Sequence, residues 1–332
     1  WTKGYREVVT GVPTGLREHN VLYHADQEND SYSKHRVTAM DNPRITPQDK
    51  ENALVQYGGE DSDDYIHYFL GKHGKPVFSL FDRGLFSIET YPVYQLAIDG
   101  IKVENLADYQ QKLAYIPALQ SKDHDCIIGI DLGYTEPTAI IVMYLNRNGV
   151  IRFHSRIKLT KVSYPIQEKI IDYLDSKFDP IVIGVDRGNA GISVIQNLLE
   201  SKQYALKNFK DRLVPIDFSG WTVLGIDSSG AEIKSRTKPF TVSVLQEYSN
   251  SHKIVYSSTD TEMVSELERM TYTKNAVTGD ISYRTLTVRG GKSGEDHFTS
   301  ALLCGTSAYY LTNEFILNKS SRKRLFTARW AQ

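Results

Sequence analysis

Cysteine is nearly absent from this chain: its 332 residues include only Cys126 and Cys304. Two such distant thiols match neither a disulfide framework nor zinc-ligand spacing, so a reducing compartment is expected. No apolar run nears the ~18 residues of a membrane-spanning helix, so no membrane role is expected. The opening residues, WTKGYREVV, lack the apolar core of a signal peptide. Neither sign of charge dominates: Lys and Arg number 39, Asp and Glu 40, for a net charge of −1. A nucleic-acid-binding chain with that balance needs local basic patches instead of a global field. No G-x-x-x-x-G-K-[ST] loop occurs, which excludes a Walker A phosphate site. Internal repeats and low-complexity tracts are also missing.

What is present is an α/β pattern that begins near residue 123. Cys126 to Ile130, Thr138 to Tyr144 and Ile151 to Lys158 read as strands, and Asn146 to Gly149 (NRNG) as a hairpin turn between the last two. Ile166, Ile170, Leu174 and Phe178 recur every fourth residue, which predicts an amphipathic helix over Pro165 to Phe178. Ile181 to Val185 is continuously apolar, as a buried parallel strand should be. Further helices are expected at Ile192 to Leu199, Pro239 to Tyr248, Thr261 to Met270 and Asp296 to Leu311. A strand is expected at Leu213 to Ile216, and a hairpin between Met270 and Arg289 that turns near Val277 to Asp280. The order β-β-β-α-β-α-β-α is that of an RNase H-like mixed sheet flanked by helices.

The first ~120 residues read differently, as a smaller, mostly helical and irregular segment. REVVTGVPTG suggests a short strand and a turn. Thr46 as N-cap and Pro47 at the first helical position predict a helix through ITPQDKENALVQYGG. SDDYIHYFLGKHG predicts a second, capped by Ser62 and stopped by Gly71.

Three carboxylates stand out against this layout. Asp131 ends the run CIIGID, Asp186 ends IVIGVD, and Asp296 opens the last apolar helix in GEDHFTSALLCG. Ligand sites in open α/β sheets favour the carboxyl ends of strands. Acids from two strand ends and a helix start can converge on divalent cations, and Mg2+ asks for oxygen ligands of this kind. Such a site hydrolyses phosphodiesters. Each acid also has an ordinary reading, as a turn former, a cap or a partner of the helix dipole. Glu295, Glu136, Asp217 and His297 are neighbours that could assist or could be plain surface residues. The same run, Asp-Leu-Gly-x-Thr after a buried strand, also fits the first phosphate loop of the actin, heat-shock chaperone and sugar-kinase superfamily. A second loop and an adenosine loop are poorly matched here. A non-catalytic DNA-packaging subunit that keeps the fold is a third alternative.

The segments GIDLGYTEPTAIIV, IVIGVDRGNAGISVIQNL, the hairpin before the last helix and GEDHFTSALL together resemble the C-terminal nuclease domain of the large terminase subunit of tailed bacteriophages. The resemblance maps the family's metal-binding acids onto Asp131, Asp186 and the Glu295-Asp296 pair. Many relatives carry Asp-Asp at the last position, and Asp296 is the favoured ligand here. VVTGVPTGLREHNVLYH resembles the segment that closes the family's ATPase domain. The implied layout is an ATPase remnant and linker over 1–120, a nuclease domain over 121–315 and a basic tail over 316–332. By this reading the chain is a fragment cut inside the ATPase domain and does not hydrolyse ATP by itself.

The implied activity is an endonuclease that uses two Mg2+ or Mn2+ ions to cut double-stranded viral DNA concatemers during packaging. The implied partners are the portal protein, the small terminase subunit and the rest of the ATPase domain, in the host cell cytoplasm and not in the mature virion. Candidate DNA contacts are Arg187, Lys234, Arg236, Lys238, Lys274, Arg284, Arg289 and Lys292. Phosphate contacts of this kind bind without regard to sequence and weaken with salt.

Overall fold

In a computed structural model of the chain, the described residues are 11, 33, 35–57, 60, 65–73, 80–81, 86–103, 105–119, 124–188, 191–226, 230–274, 281–285 and 296–314. The chain divides into two compact units, Trp1–Gly84 with Ser265–Glu295, and Leu85–Val264 with Asp296–Gln332. The strand expected in REVVTGVPTG and the basic tail over 316–332 lie outside the described residues.

In the first unit, helix α1 (Pro47–Tyr57) starts as its sequence predicts. Thr46 donates its backbone N–H and its hydroxyl to Asp49 Oδ2, at 2.8 and 2.7 Å. The Asp49 N–H donates back to Thr46 Oγ1, closing a capping box. Beyond it, Tyr65–Phe69 forms a π-helical turn, and Tyr65 and Phe69 pack with Ala53 into a small core.

The second unit opens with strands β1 (Ser87–Glu89) and β2 (Tyr94–Asp99) and helix α2 (Leu106–Ala114). Strands β3 (Cys126–Asp131), β4 (Thr138–Leu145) and β5 (Ile151–Thr160) follow, then α3 (Tyr164–Phe178), β6 (Val182–Asp186), α4 (Gly191–Glu200), the short α5 (Phe209–Arg212) and β7 (Leu213–Ile216). A hairpin of β8 (Trp221–Ile226) and β9 (Glu232–Arg236) leads into α6 (Thr237–Asn250), β10 (Ile254–Ser257) and α7 (Thr261–Glu268). The chain then forms the first unit's hairpin of β11 (Met270–Lys274) and β12 (Ile281–Thr285) before returning as α8 (His297–Tyr309). The turn expected at Val277 to Asp280 lies outside the described residues. Among the described residues no helix is long and apolar enough to cross a membrane.

The main sheet runs β1-β10-β5-β4-β3-β6-β7, with β2 also paired to β5. β3, β4 and β5 are antiparallel neighbours, while β6 joins β3, and β7 joins β6, in parallel. This is the RNase H-like arrangement, an antiparallel meander continued by parallel strands. Strands β10 and β2 add to the outer edge of β5, both in parallel. That addition was not foreseen from the sequence, because both strands pair with β5 in parallel across long stretches of chain, which leaves no local turn signal.

The two faces of the sheet are covered differently. Ile128, Ile130, Ile183 and Val185 share one cluster with Ile170 and Leu174 of α3 and with Val194, Ile195 and Leu198 of α4. Side chains alternate along a strand, so Gly129, Asp131, Gly184 and Asp186 point to the opposite face. There α8 lies across β3, β4 and β6. A Cβ on Gly129 would come within 2.0 Å of the Ala301 carbonyl oxygen, and one on Gly184 within 2.1 Å of that of Cys304. The two glycines are therefore what lets the helix backbone settle onto the strands. Cys126 and Cys304 are both buried and free.

A candidate metal and nuclease site

Asp131 and Asp186 are the last residues of β3 and β6, and those strands are in parallel register up to Ile130 and Val185. The two carboxylates therefore leave adjacent strand ends on the face that carries α8. Burial raises the Asp131 pKa, and the nearby charge of Asp296 adds to the rise; the His297 hydrogen bond and the charges of His297 and Lys238 oppose it. Burial, then the charge of Asp131, lifts Asp186 to about 6, against a hydrogen bond from the Gly188 N–H and the charge of Lys238. Two half-buried acids thus repel one another, and each resists ionisation.

Local sequence explains how each is held. The Gly188 N–H donates to Asp186 Oδ1 at 3.0 Å, and a Cβ on Gly188 would sit 2.9 Å from Asp186 Oδ2. The Asp-Arg-Gly turn therefore fixes the carboxylate and leaves room beside it. His297, the first residue of α8, places Nδ1 3.0 Å from Asp131 Oδ2. Its Nε2 lies 3.9 Å from the exposed Glu136 carboxylate. Asp296 occupies the N-cap of α8 but makes no side-chain capping bond, so the ordinary capping role does not account for it.

The expected trio is only partly assembled. Asp131 and Asp186 are brought together, and the charge of Asp296 acts on Asp131. Among the described residues, however, no three His, Cys, Asp or Glu side chains are disposed to hold a metal ion together. Glu295 lies outside the described residues. The donor chemistry of the pair nonetheless suits a hard cation. It is all oxygen, it is poorly tolerated as two bare charges, and Mg2+ is commonly held by one or two carboxylates plus water and substrate phosphate. Asp217, weighed as an auxiliary acid, is a turn former, accepting from the Ser219 N–H at 3.0 Å and the Ser219 hydroxyl at 2.7 Å.

The basic candidates separate clearly. Lys238 acts electrostatically on both Asp131 and Asp186, and its ammonium stands 4.0 Å from the Phe218 ring centre. Arg187 follows Asp186 and lines a cavity of about 320 Å³. Arg236 lies over the Trp221 ring at 4.3 Å, and Lys234 pairs with Glu232 at 2.8 Å. The sequence placed Lys234, Arg236 and Lys238 together ahead of a helix. Lys234 and Arg236 do precede α6, on the strand β9, whereas Lys238 is already the second residue of that helix. The strand itself was not foreseen, because it has no buried face and so carries no alternating apolar signal. Lys274 and Arg284 lie on β11 and β12 in the first unit. Arg289 and Lys292 lie outside the described residues.

The interaction of His297 with Asp131 was not foreseen. The only hint was the position of His297 beside Asp296, since a contact 166 residues away in sequence leaves no local signature.

No protein-family model and no curated protein matches this chain. Among solved structures, the large terminase nuclease of thermophilic phage G20c with bound magnesium is 15% identical, over 69% of this chain and 97% of that one, with a TM-score of 0.46. The same nuclease with bound cobalt is 14% identical over the same shares, with a TM-score of 0.45. The large terminase of a second thermophilic bacteriophage is 15% identical over 80% of this chain, with a TM-score of 0.40. This chain spans about half the length of that protein, covering 53% of it.

Proposed function

We propose that this chain is a divalent-metal-dependent endonuclease of the large-terminase type, cutting double-stranded DNA during viral genome packaging. The observation that carries the reading is the pair of half-buried, mutually repelling carboxylates at neighbouring parallel strand ends. Asp131 and Asp186 would hold Mg2+ or Mn2+, with Asp296 or its neighbour Glu295 completing a site for two ions. When bound, the ions supply Lewis acidity toward water and phosphate and offset charge in an in-line displacement.

The chain's own groups prepare that chemistry. His297 holds the Asp131 carboxylate through Nδ1, so that oxygen cannot rotate freely. The Gly188 N–H does the same for Asp186. Lys238 supplies a positive charge beside both acids, where an anionic phosphate must approach. Arg187 follows Asp186 directly and can reach the same strand of nucleic acid. On this reading the chain acts in the host cytoplasm beside the portal protein, the small terminase subunit and an ATPase portion.

The test is nicking of supercoiled plasmid by the purified chain with Mn2+ or Mg2+. Nicking is expected from the parent and not from Asp131→Ala, and a chelator should abolish it. Salt-sensitive DNA binding with no cleavage in either metal would overturn the reading in favour of a non-catalytic DNA-binding subunit.

A further inference from the structure

One residue beyond Asp186, with Arg187 in its wall, a cavity of about 320 Å³ opens between α4, β7 and β8. The Arg187 N–H donates to the Ile216 carbonyl at 2.8 Å, and Ile216 also lines the cavity. Its size falls at the small end of the ~300–1,000 Å³ usual for small-molecule sites. That suits one flat ring system with its sugar and not an extended ligand.

The lining is that of a pocket for a flat, polar-edged ring. Trp221 contributes an indole that is 57% exposed, on a hairpin strand, where burial in a core cannot explain it. The Arg236 guanidinium lies 4.3 Å over that ring and limits its movement. Ile195 supplies an apolar wall. Gln196 and Glu200, one helical turn apart on α4, both line the cavity, and the Gln196 amide donates to Glu200 Oε2 at 3.3 Å. None of these groups takes part in the chemistry proposed above.

We propose that this cavity receives an unstacked nucleobase of the DNA strand bound at the carboxylates, and that it gives cleavage a local base preference. The proposal rests on the nuclease reading, since it takes the ligand to be the nucleic acid being cut. Aromatic side chains stack on any base, and enzymes that extract a base read its Watson–Crick edge by hydrogen bonds. A carboxylate only accepts. Guanine presents two adjacent N–H donors on that edge, matching the two oxygens of Glu200, so guanine is the favoured occupant and thymine a poor one.

Two measurements on the full chain test this. The first omits catalysis: oligonucleotides carrying 2-aminopurine are titrated with the chain in EDTA. The parent should change the probe's fluorescence. Trp221→Ala should weaken that response about fivefold or more in apparent affinity, and Trp221→Phe should largely restore it. The second sequences the ends made from random-sequence DNA with Mn2+. The parent should show guanine enrichment at one position fixed relative to the cut, and Glu200→Gln should change or flatten that enrichment. An unbiased end profile together with a Trp221→Ala response equal to the parent's overturns the pocket while leaving the nuclease intact. A parent that never cuts, yet shows the Trp221-dependent probe response, overturns the nuclease reading and leaves a base-binding pocket.

Discussion

The same two strands, β3 and β6, present opposite chemistry on their two faces. Toward α3 and α4 they show Ile128, Ile130, Ile183 and Val185, all at most 1% exposed. Toward α8 they show a glycine followed two residues later by an aspartate, Gly129 with Asp131 and Gly184 with Asp186. The first face is built for burial, where branched aliphatics contribute through area removed from water. The second begins with Ile127 and Val182, also fully buried, and then gives way to glycine and aspartate, so that a helix backbone can approach and two charges can stand together near its start. The two-residue period of a strand thus keeps the acids off the aliphatic face, while the face that carries them also seats α8.

That separation is open to direct challenge, and the largest effect should come at the acids. Asp186→Asn keeps the shape of the side chain and an oxygen to accept from the Gly188 N–H. It removes a charge that burial and Asp131 already disfavour. Cleavage should fall by roughly a thousandfold or more, on the scale at which loss of a principal electrostatic group acts. The thermal midpoint of the metal-free chain should stay the same or rise, because sites of this kind cost stability. Nicking assays and thermal unfolding on one preparation check both halves. A variant that unfolds more easily than its parent would mean that the Asp186 carboxylate itself supports the fold.

The glycines should give the next effect, and it should differ sharply between faces. Gly184→Val places side-chain carbon against the Cys304 carbonyl, already 2.1 Å from a built Cβ. That neighbour is main chain and cannot rotate away. The cost should exceed the ~3 kcal/mol usual for overpacking. Ile183→Val, the adjacent residue on the aliphatic face, removes one methylene and should cost only about 1 kcal/mol. Denaturant unfolding of the two variants measures the contrast, and equal costs would break it.

How much of this was legible follows from the same alternation. The core strands and α3 announced themselves through apolar runs and a four-residue period, and the order of elements pointed to the RNase H-like sheet. Asp131 and Asp186 stood out because each ends a strong apolar run, and Asp296 because it opens one. What stayed hidden was carried by weak or distant signals. The strands β2 and β10 pair with β5 across long stretches of chain, and β9 has no buried side. The link between His297 and Asp131 joins residues far apart in the chain. The role of Gly129 and Gly184 in seating α8 requires knowing which helix crosses those strands. Of the three acids the sequence suggested, Asp131 and Asp186 leave adjacent strand ends, and Asp296 stands at the N-cap of α8 with its charge acting on Asp131.

The smallest effect should appear on the aliphatic side, where the titratable ring of His154 lies among packed rings. His154 is the extra residue of a bulge in β5, where pairing shifts from Ser155 opposite Val142 to Phe153 opposite Met143. Its ring lies 5.3 Å from Tyr94 and 5.3 Å from Phe178. Burial, helped by the charge of Lys177, lowers its pKa to about 4. Between pH 4 and the ordinary value of ~6.5, the unfolded chain binds a proton that the folded chain refuses. Stability from this group is therefore fully present above pH ~6.5 and is lost as pH falls through that window. The loss should be on the order of 1 kcal/mol, since the ring is not wholly cut off from solvent. His154→Leu should flatten the slope of stability against pH from 6.5 to 4. The parent's slope persisting unchanged in that variant would shift the cause to other groups. A flattened slope with no change in nicking per folded molecule would show the aliphatic face acting on stability alone.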